Sequence, residues 1–220
     1  MKKTIITVTG ASGSGKDSLV DALLYLNGNK PFNELNNTAK AFQSVVSKQC
    51  VPIRELVSHT TRSPRRGEKE GIDYYYIDMN TFESIEKVEK VEYAGNHYCL
   101  AASELEKIQE NGYGIVVVDK NGVKCIKDYV DKHTDEYDLI RVFLLLDEET
   151  SRHRMLSRGD KAEDVEKRLK QHNERHEYQA NIDDFEFILP SYMLSDFFVN
   201  ALKLNESLQA RVTNRDEGLH

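Results

Sequence analysis

The chain has 220 residues, and its 37 acidic residues outnumber its 30 lysines and arginines, which gives a formal net charge of −7. This length suits one elaborated domain, and a hydrophobic fraction of 39% excludes a wholly disordered chain. The acidic balance argues against a protein that holds nucleic acid on a basic surface, so we expect no nucleic-acid partner.

The predicted elements alternate along the chain between strands and helices. Strands are predicted at 4–9, 52–58, 115–119, 139–146 and 185–189, and helices at 18–26, 103–110, 124–131 and 148–178. This alternation predicts an α/β fold in three layers, a parallel sheet flanked by helices. We expect a single domain over 1–220, with its core at 1–57, 95–146 and 180–210 and a frayed end from Arg211.

Three segments interrupt this alternation. Residues 27–49 form a polar, Asn-rich insertion with a short helix predicted at 38–47. Residues 58–94 include a tyrosine cluster and predict a small strand-rich lobe, whereas the charge-dense segment 147–179 predicts a helical lid.

Membrane and disulfide features are missing from the sequence. The longest apolar runs, 115–118 and 142–146, are too short to cross a bilayer, and no secretory signal is seen, so we expect a cytoplasmic protein without a membrane partner. Cys50, Cys99 and Cys125 match neither a zinc pattern nor a disulfide framework, so we expect free thiols.

A glycine-rich motif follows the first predicted strand. Residues 10–17 read GASGSGKD, which is the P-loop pattern G-x-x-x-x-G-K between a strand and a helix. Its glycines let backbone N–H groups surround an anion, and the next helix directs its positive end there. The motif predicts a nucleoside triphosphate site, with a lysine on the β and γ phosphates. The predicted ATP-binding residues are Ala11, Ser12, Gly13, Ser14, Gly15, Lys16, Asp17 and Ser18.

One position departs from the usual P-loop. Asp17 occupies the place where Ser or Thr normally contacts magnesium, and Ser18 follows it. Asp17 either binds Mg²⁺ through water, with Ser18 beside it, or only caps the start of the helix. The expected cofactor is therefore Mg²⁺ with ATP.

A second motif lies at 58–77 and reads SHTTRSPRRGEKEGIDYYYI. Its arginines at 62, 65 and 66 and its tyrosines at 74–76 suit a second phosphate, bound by guanidinium and phenol groups. The alternative interpretation is a solvated basic loop.

With these motifs the chain resembles the guanylate kinase family. Its signature, Ser-x-Thr-Thr-Arg-x-Pro-Arg-x-Gly-Glu-x-x-Gly-x-Asp-Tyr, is matched at every defined position from Ser58 to Tyr74, and the resemblance extends over about 4–190. It implies a nucleoside monophosphate kinase with a monophosphate-binding lobe and a lid. The implied monophosphate-binding residues are Ser58, Arg62, Arg65, Tyr74, Glu92, Tyr98 and Asp119. Glu92 would accept two hydrogen bonds from guanine, which adenine cannot donate.

The lid sequence also matches the family's arginine pattern. The resemblance implies that Arg154 contacts ATP and that Arg158 and Arg168 close on the phosphates, and it makes Lys16, Arg62, Arg158 and Arg168 the catalytic set. Surface ion pairs are the alternative for the lid arginines. His172 and His176 are predicted to be solvated.

The family pattern is broken at two places. Cys99 and Leu100 stand where the family has Gly and then Ser or Thr, whose hydroxyl contacts guanine. Residues 188–190 stand where an Asn usually lies beside the donor adenine.

The expected reaction is transfer of the γ-phosphoryl group of MgATP to a nucleoside monophosphate, with GMP or dGMP favoured. One alternative is a ribose 1,5-bisphosphate phosphokinase, because the string GKDSL at 15–19 resembles that related family. A non-catalytic guanylate-kinase-like binding module is the other. The sequence leaves open the role of the insertion, the ribose preference and the oligomeric state, a homodimer included.

Overall fold

The computed structural model describes residues 2–31, 34–35, 50–65, 67–93 and 95–217. Most of the insertion predicted at 27–49, including the helix at 38–47, lies outside these residues, as do Arg66 and Ala94.

The described residues form nine strands and seven α-helices. The strands are β1 (Lys3–Thr9), β2 (Ile53–Glu55), β3 (His59–Thr60), β4 (Tyr75–Tyr76), β5 (Lys87–Tyr93), β6 (Asn96–Ala101), β7 (Tyr113–Val117), β8 (Tyr137–Leu145) and β9 (Phe187–Pro190). The helices are α1 (Lys16–Leu26), α2 (Met79–Ser84), α3 (Ala102–Glu106), α4 (Lys120–Val130), α5 (Glu148–Ser157), α6 (Ala162–Glu174) and α7 (Leu194–Glu217).

The main sheet has five parallel strands in the order β2-β7-β1-β8-β9. Its central strand β1 is buried on both faces, because alternate side chains enter two different cores. Ile6 packs with α1 and α7 on one face, whereas Ile5 packs with α3 and α4 on the other. The predicted three-layer α/β fold is therefore confirmed.

A second sheet, ordered β4-β3-β6-β5, forms the lobe. β5 and β6 are an antiparallel hairpin that turns at Gly95, whose φ of 72° suits glycine. The second sheet extends past the predicted lobe end at 94, since β6 pairs with β5 as far as Ala101.

Two predictions about the second half of the chain, a single helix at 148–178 and a frayed end from Arg211, are wrong. The segment 148–178 is two helices, α5 and α6, and Gly159 lies between them with a φ of 94°. The chain does not fray at Arg211, because α7 continues to Glu217. Leu204 and Leu208 anchor that helix in the core, and the Tyr113 hydroxyl donates to the Leu208 carbonyl.

Several loops meet at one edge of the main sheet. β1, β7, β8 and β9 are parallel, so the segments that follow them meet at their carboxyl ends, where open α/β sheets bind ligands. No helix in the described part of the chain combines the length and hydropathy needed to span a bilayer.

Candidate active site

The glycine-rich loop joins β1 to α1 in a backbone conformation that requires glycine. The φ angles of Gly10, Gly13 and Gly15 are 146°, 78° and 85°. A Cβ at Gly10 would lie 2.6 Å from the Leu144 carbonyl oxygen. The N-cap of α1 is Gly15, which has no side chain, and the start of a helix favours an anion.

Lys16 folds back over this loop. Its Nζ donates to the carbonyls of Gly10 at 2.8 Å and Ala11 at 3.0 Å. Burial lowers the pKa of Lys16, and Asp17 partly offsets this effect. Ala11 and Ser14 are buried and shape the backbone, since the Ser14 N–H donates to the Ala11 carbonyl.

Two cavities open at this edge of the sheet, with volumes of about 430 Å³ and 600 Å³. The smaller one, here the lobe cavity, is lined by nine of the predicted residues: Ser12, Lys16, Ser58, Arg62, Arg65, Tyr74, Tyr98, Asp119 and Arg168. The larger one, here the loop cavity, is lined by eight: Ser12, Gly13, Gly15, Lys16, Asp17, Ser18, Arg154 and Arg158. Ser12 and Lys16 also line the lobe cavity, so the two cavities meet at these residues.

Arg62 is held at the lobe cavity by a carboxylate that the sequence analysis did not assign. Its guanidinium donates to both oxygens of Glu68, at 2.9 and 3.0 Å, and lies 5.3 Å from the centre of the Tyr74 ring. Tyr76 also donates to Glu68, at 2.9 Å. The hydrogen bonds from Arg62 lower the pKa of Glu68 to about 2, so it stays charged. Glu68 occupies a defined position of the 58–74 signature, and this position is what could have identified it from the sequence.

The carboxylate that the resemblance implies for base contact, Glu92, lies outside the lobe cavity. Glu92 is exposed and does not line the lobe cavity, whereas Glu89 is 6% exposed and lines it with Val91. Side chains alternate along a strand, so Glu92 faces away from Val91. Burial, with the nearby charge of Asp119, raises the pKa of Glu89 to about 7.

Cys99 and Leu100, which break the family pattern, are both fully buried and do not line the lobe cavity. Burial raises the pKa of Cys99 to about 11, so its thiol stays protonated. Asp119 does line that cavity while it caps α4, since its Oδ1 accepts from the Gly122 N–H at 2.8 Å.

The lid arginines divide between the cavities. Arg158 lines the loop cavity and Arg168 the lobe cavity, but both guanidiniums are paired with Asp160, at 2.7 and 2.9 Å. Both pairs are partly exposed at the cavities, and ion pairs at a protein surface contribute little stability. Asp160 was not singled out in the sequence, and the turn between α5 and α6 brings the three side chains together.

Arg154 supports the loop instead of extending freely into the cavity. Its guanidinium donates to the carbonyls of Gly13 at 2.9 Å and Tyr192 at 3.0 Å. Beyond the stretch 188–190, which belongs to β9, Ser191 lines the loop cavity and donates to the Ser14 carbonyl at 2.8 Å. Sequence reasoning missed Ser191 because no local pattern marks it.

His172 is not solvated, contrary to the prediction. Its Nε2 lies 2.9 Å from the Ser12 hydroxyl and accepts from the Ser12 N–H at 3.3 Å. Its Nδ1 lies 2.8 Å from the carboxylate of Glu177. The contact forms because α6 packs back over the glycine-rich loop. His176 is exposed, as predicted.

Asp17 and Ser18 supply oxygen atoms to the loop cavity, beside the helix start. One carboxylate and one hydroxyl, completed by phosphates and water, fit Mg²⁺, which binds few protein ligands at nucleotide sites. No cluster of three or more acidic, histidine or cysteine ligands occurs among the described residues.

Comparisons with known proteins agree on one family. The model of the family "Guanylate kinase" matches residues 1–208. The chain is 31% identical to the guanylate kinase of Thiobacillus denitrificans over 194 residues, which cover 83% of this chain and 79% of that protein. It is 27% identical to that of Alkalilimnicola ehrlichii over 199 residues, which cover 84% of each chain. The fold is similar to the crystal structure of guanylate kinase from Anaplasma phagocytophilum, with a TM-score of 0.54, 18% identity and coverage of 96% of this chain and 85% of that one.

Proposed function

This chain belongs to the guanylate kinase family, and from that premise we propose that it transfers the γ-phosphoryl group of ATP to GMP or dGMP. The observation that carries the proposal is the meeting of two cavities at Ser12 and Lys16, one beside the glycine-rich loop and one beside the lobe. A donor and an acceptor nucleotide bound in these cavities would bring their phosphates together at this junction.

The loop cavity is the proposed donor site. The N–H groups at the start of α1 would surround the phosphates, and Lys16 would leave its two carbonyl partners for a phosphate oxygen. The apolar side chains of Met193, Leu194 and Phe197 also line this cavity and suit a flat base.

The acceptor phosphate would bind in the lobe cavity. Arg62 and Arg65 supply guanidinium groups, and Tyr74 and Tyr98 supply hydroxyls. Glu68 keeps Arg62 charged and oriented, and cation–π contact with Tyr74 restricts it further. Arg62 is therefore preorganised for a dianion.

Glu89 is the proposed guanine-reading residue, in place of Glu92. As a buried carboxylate it can accept from N1–H and the 2-amino group of guanine, a donor pair that adenine lacks. Ser58 and Asp119 line the same cavity and provide further polar partners.

The acceptor oxygen is already ionised, so the reaction requires no general base. The chain contributes alignment and positive charge: Lys16 at the junction, Arg62 on the acceptor, and Arg158 and Arg168 after release from Asp160. Mg²⁺, held near Asp17 and Ser18, would neutralise phosphate charge. We assign core, lobe and lid roles to the segments accordingly, with the lobe extended to Ala101.

A turnover panel tests the proposal. Purified protein with MgATP is offered GMP, dGMP, AMP, dTMP or ribose 1,5-bisphosphate, and both ADP and the phosphorylated acceptor are measured. We expect GMP or dGMP to give the highest kcat/KM. Preferred turnover of the sugar phosphate would favour the phosphokinase alternative. Binding of GMP without any turnover would favour the non-catalytic module.

A further inference from the structure

A lid residue contacts the glycine-rich loop at the junction of the two cavities. Ser12 lines both cavities, and its N–H and hydroxyl both face Nε2 of His172, at 3.3 and 2.9 Å. His172 itself lines the lobe cavity. The contact therefore joins α6 to the loop where the phosphates of two bound nucleotides would meet.

The imidazole is held in one orientation by its neighbours. Glu177 is 7% exposed, and its carboxylate lies 2.8 Å from the histidine Nδ1. The ring of Tyr178 packs edge-on, with its centre 5.9 Å away. Because the Ser12 N–H donates to Nε2, that nitrogen is an acceptor, and the proton of the neutral ring lies on Nδ1, which faces Glu177.

The lid also holds the opposite side of Ser12. Ser151 on α5 donates from its hydroxyl to the Ser12 carbonyl at 2.7 Å, and Tyr178 donates to Ser151 at 3.2 Å. Ser151 is fully buried. Both lid helices therefore contact the same residue of the loop, one through its carbonyl and the other through its N–H and hydroxyl.

We propose that His172 is a positioning residue for phosphoryl transfer, which couples lid closure to the geometry of the loop through Ser12. The inference rests on the proposed function. When the lid closes, His172 fixes the loop at the junction, with Glu177 against its other ring nitrogen. Loss of this coupling should slow the transfer step and admit water, while substrate affinity changes little, because the acceptor is bound mainly by the lobe.

Two substitutions test whether Nε2 of His172, and not the rest of its side chain, is required. His172→Gln places an amide near the position of Nε2 and can still accept from Ser12. His172→Asn is shorter, places its amide near Nδ1 and cannot reach Ser12. The matched control is His176→Asn, the same change at an exposed histidine four residues further on.

The first readout is amide hydrogen exchange at Ser12, followed by NMR in the full-length protein without nucleotide. We expect exchange to be about tenfold faster in His172→Asn, since one hydrogen bond is lost, and near the wild-type rate in His172→Gln and in the control. Equal protection in wild type and His172→Asn would overturn the proposal. Thermal unfolding checks that every variant is folded.

The second readout is steady-state kinetics. We expect His172→Asn to lower kcat for GMP about tenfold, with KM changed less than twofold, and to raise the rate of ATP hydrolysis without acceptor. We expect His172→Gln to recover most of the wild-type transfer rate. A rise in KM at constant kcat would overturn the positioning role. If the wild-type protein phosphorylates no nucleoside monophosphate, the proposed function is wrong. The amide hydrogen exchange rate of Ser12 then still tests whether His172 holds the loop.

Discussion

Replacement of Glu89 by Gln tests the assignment of the base-reading residue, and Glu92→Gln three positions away is its matched control. Glu89 is 6% exposed and lines the lobe cavity, whereas Glu92 is exposed and outside it. Glutamine retains the shape and one acceptor oxygen but presents an NH₂ group where guanine also donates. Loss of one hydrogen bond to a charged group costs about 1.5–3 kcal/mol, which predicts a kcat/KM for GMP lower by about 13- to 160-fold.

The same substitution should affect stability in the opposite direction. The pKa of Glu89 is raised from 4.5 to about 7, so the folded state binds this proton more tightly than the unfolded state does. Stability is therefore highest below pH 4.5 with respect to this group and falls as the pH rises to about 7. The full shift corresponds to about 3 kcal/mol, an upper bound on what Glu89→Gln regains at pH 8.

The assays are GMP kinetics from pH 6 to 8.5 and urea unfolding at pH 8. In wild type, kcat/KM for GMP should fall as the pH drops below about 7, because Glu89 takes up a proton. The Glu89→Gln profile should show only the titration of GMP itself. If kcat/KM for GMP stays within threefold of wild type in Glu89→Gln but falls by more than this in Glu92→Gln, the assignment of Glu89 is refuted.

Three further substitutions test other parts of the site. Lys16→Ala should lower kcat by at least about 10²-fold without unfolding the protein, because it removes a charge at the phosphate junction; turnover and thermal melting check this. Asp160→Asn should tighten MgATP binding by up to about fivefold in titration calorimetry, since it releases Arg158, and weaker binding would argue against competition with phosphate. Gly10→Ala should destabilise the fold by about 1–3 kcal/mol in urea, because its Cβ would meet the Leu144 carbonyl at 2.6 Å; stability equal to wild type would contradict the steric argument.

The sequence by itself determined the features that contiguous residues encode. The string at 10–17 specifies a glycine turn and a helix start directly after a strand, which is the local context that the P-loop pattern requires. Runs of β-branched and aliphatic residues likewise predicted the strands of the main sheet, and the alternation of these strands with helices predicted that the sheet is parallel. The arginine and tyrosine signature at 58–74 predicted a phosphate-binding lobe, and Arg62, Arg65 and Tyr74 lie together at the lobe cavity.

Only the tertiary structure decided which side chains meet. The choice between Glu89 and Glu92 depends on the register of the β5–β6 hairpin, which shifts between Lys87 and Glu89, and one step of register exchanges the two faces of a strand. His172 reaches Ser12 across 160 positions of chain because α6 turns back over the loop after Gly159. Such contacts arise from packing between segments that are distant in the sequence, so a local pattern of residues cannot predict them.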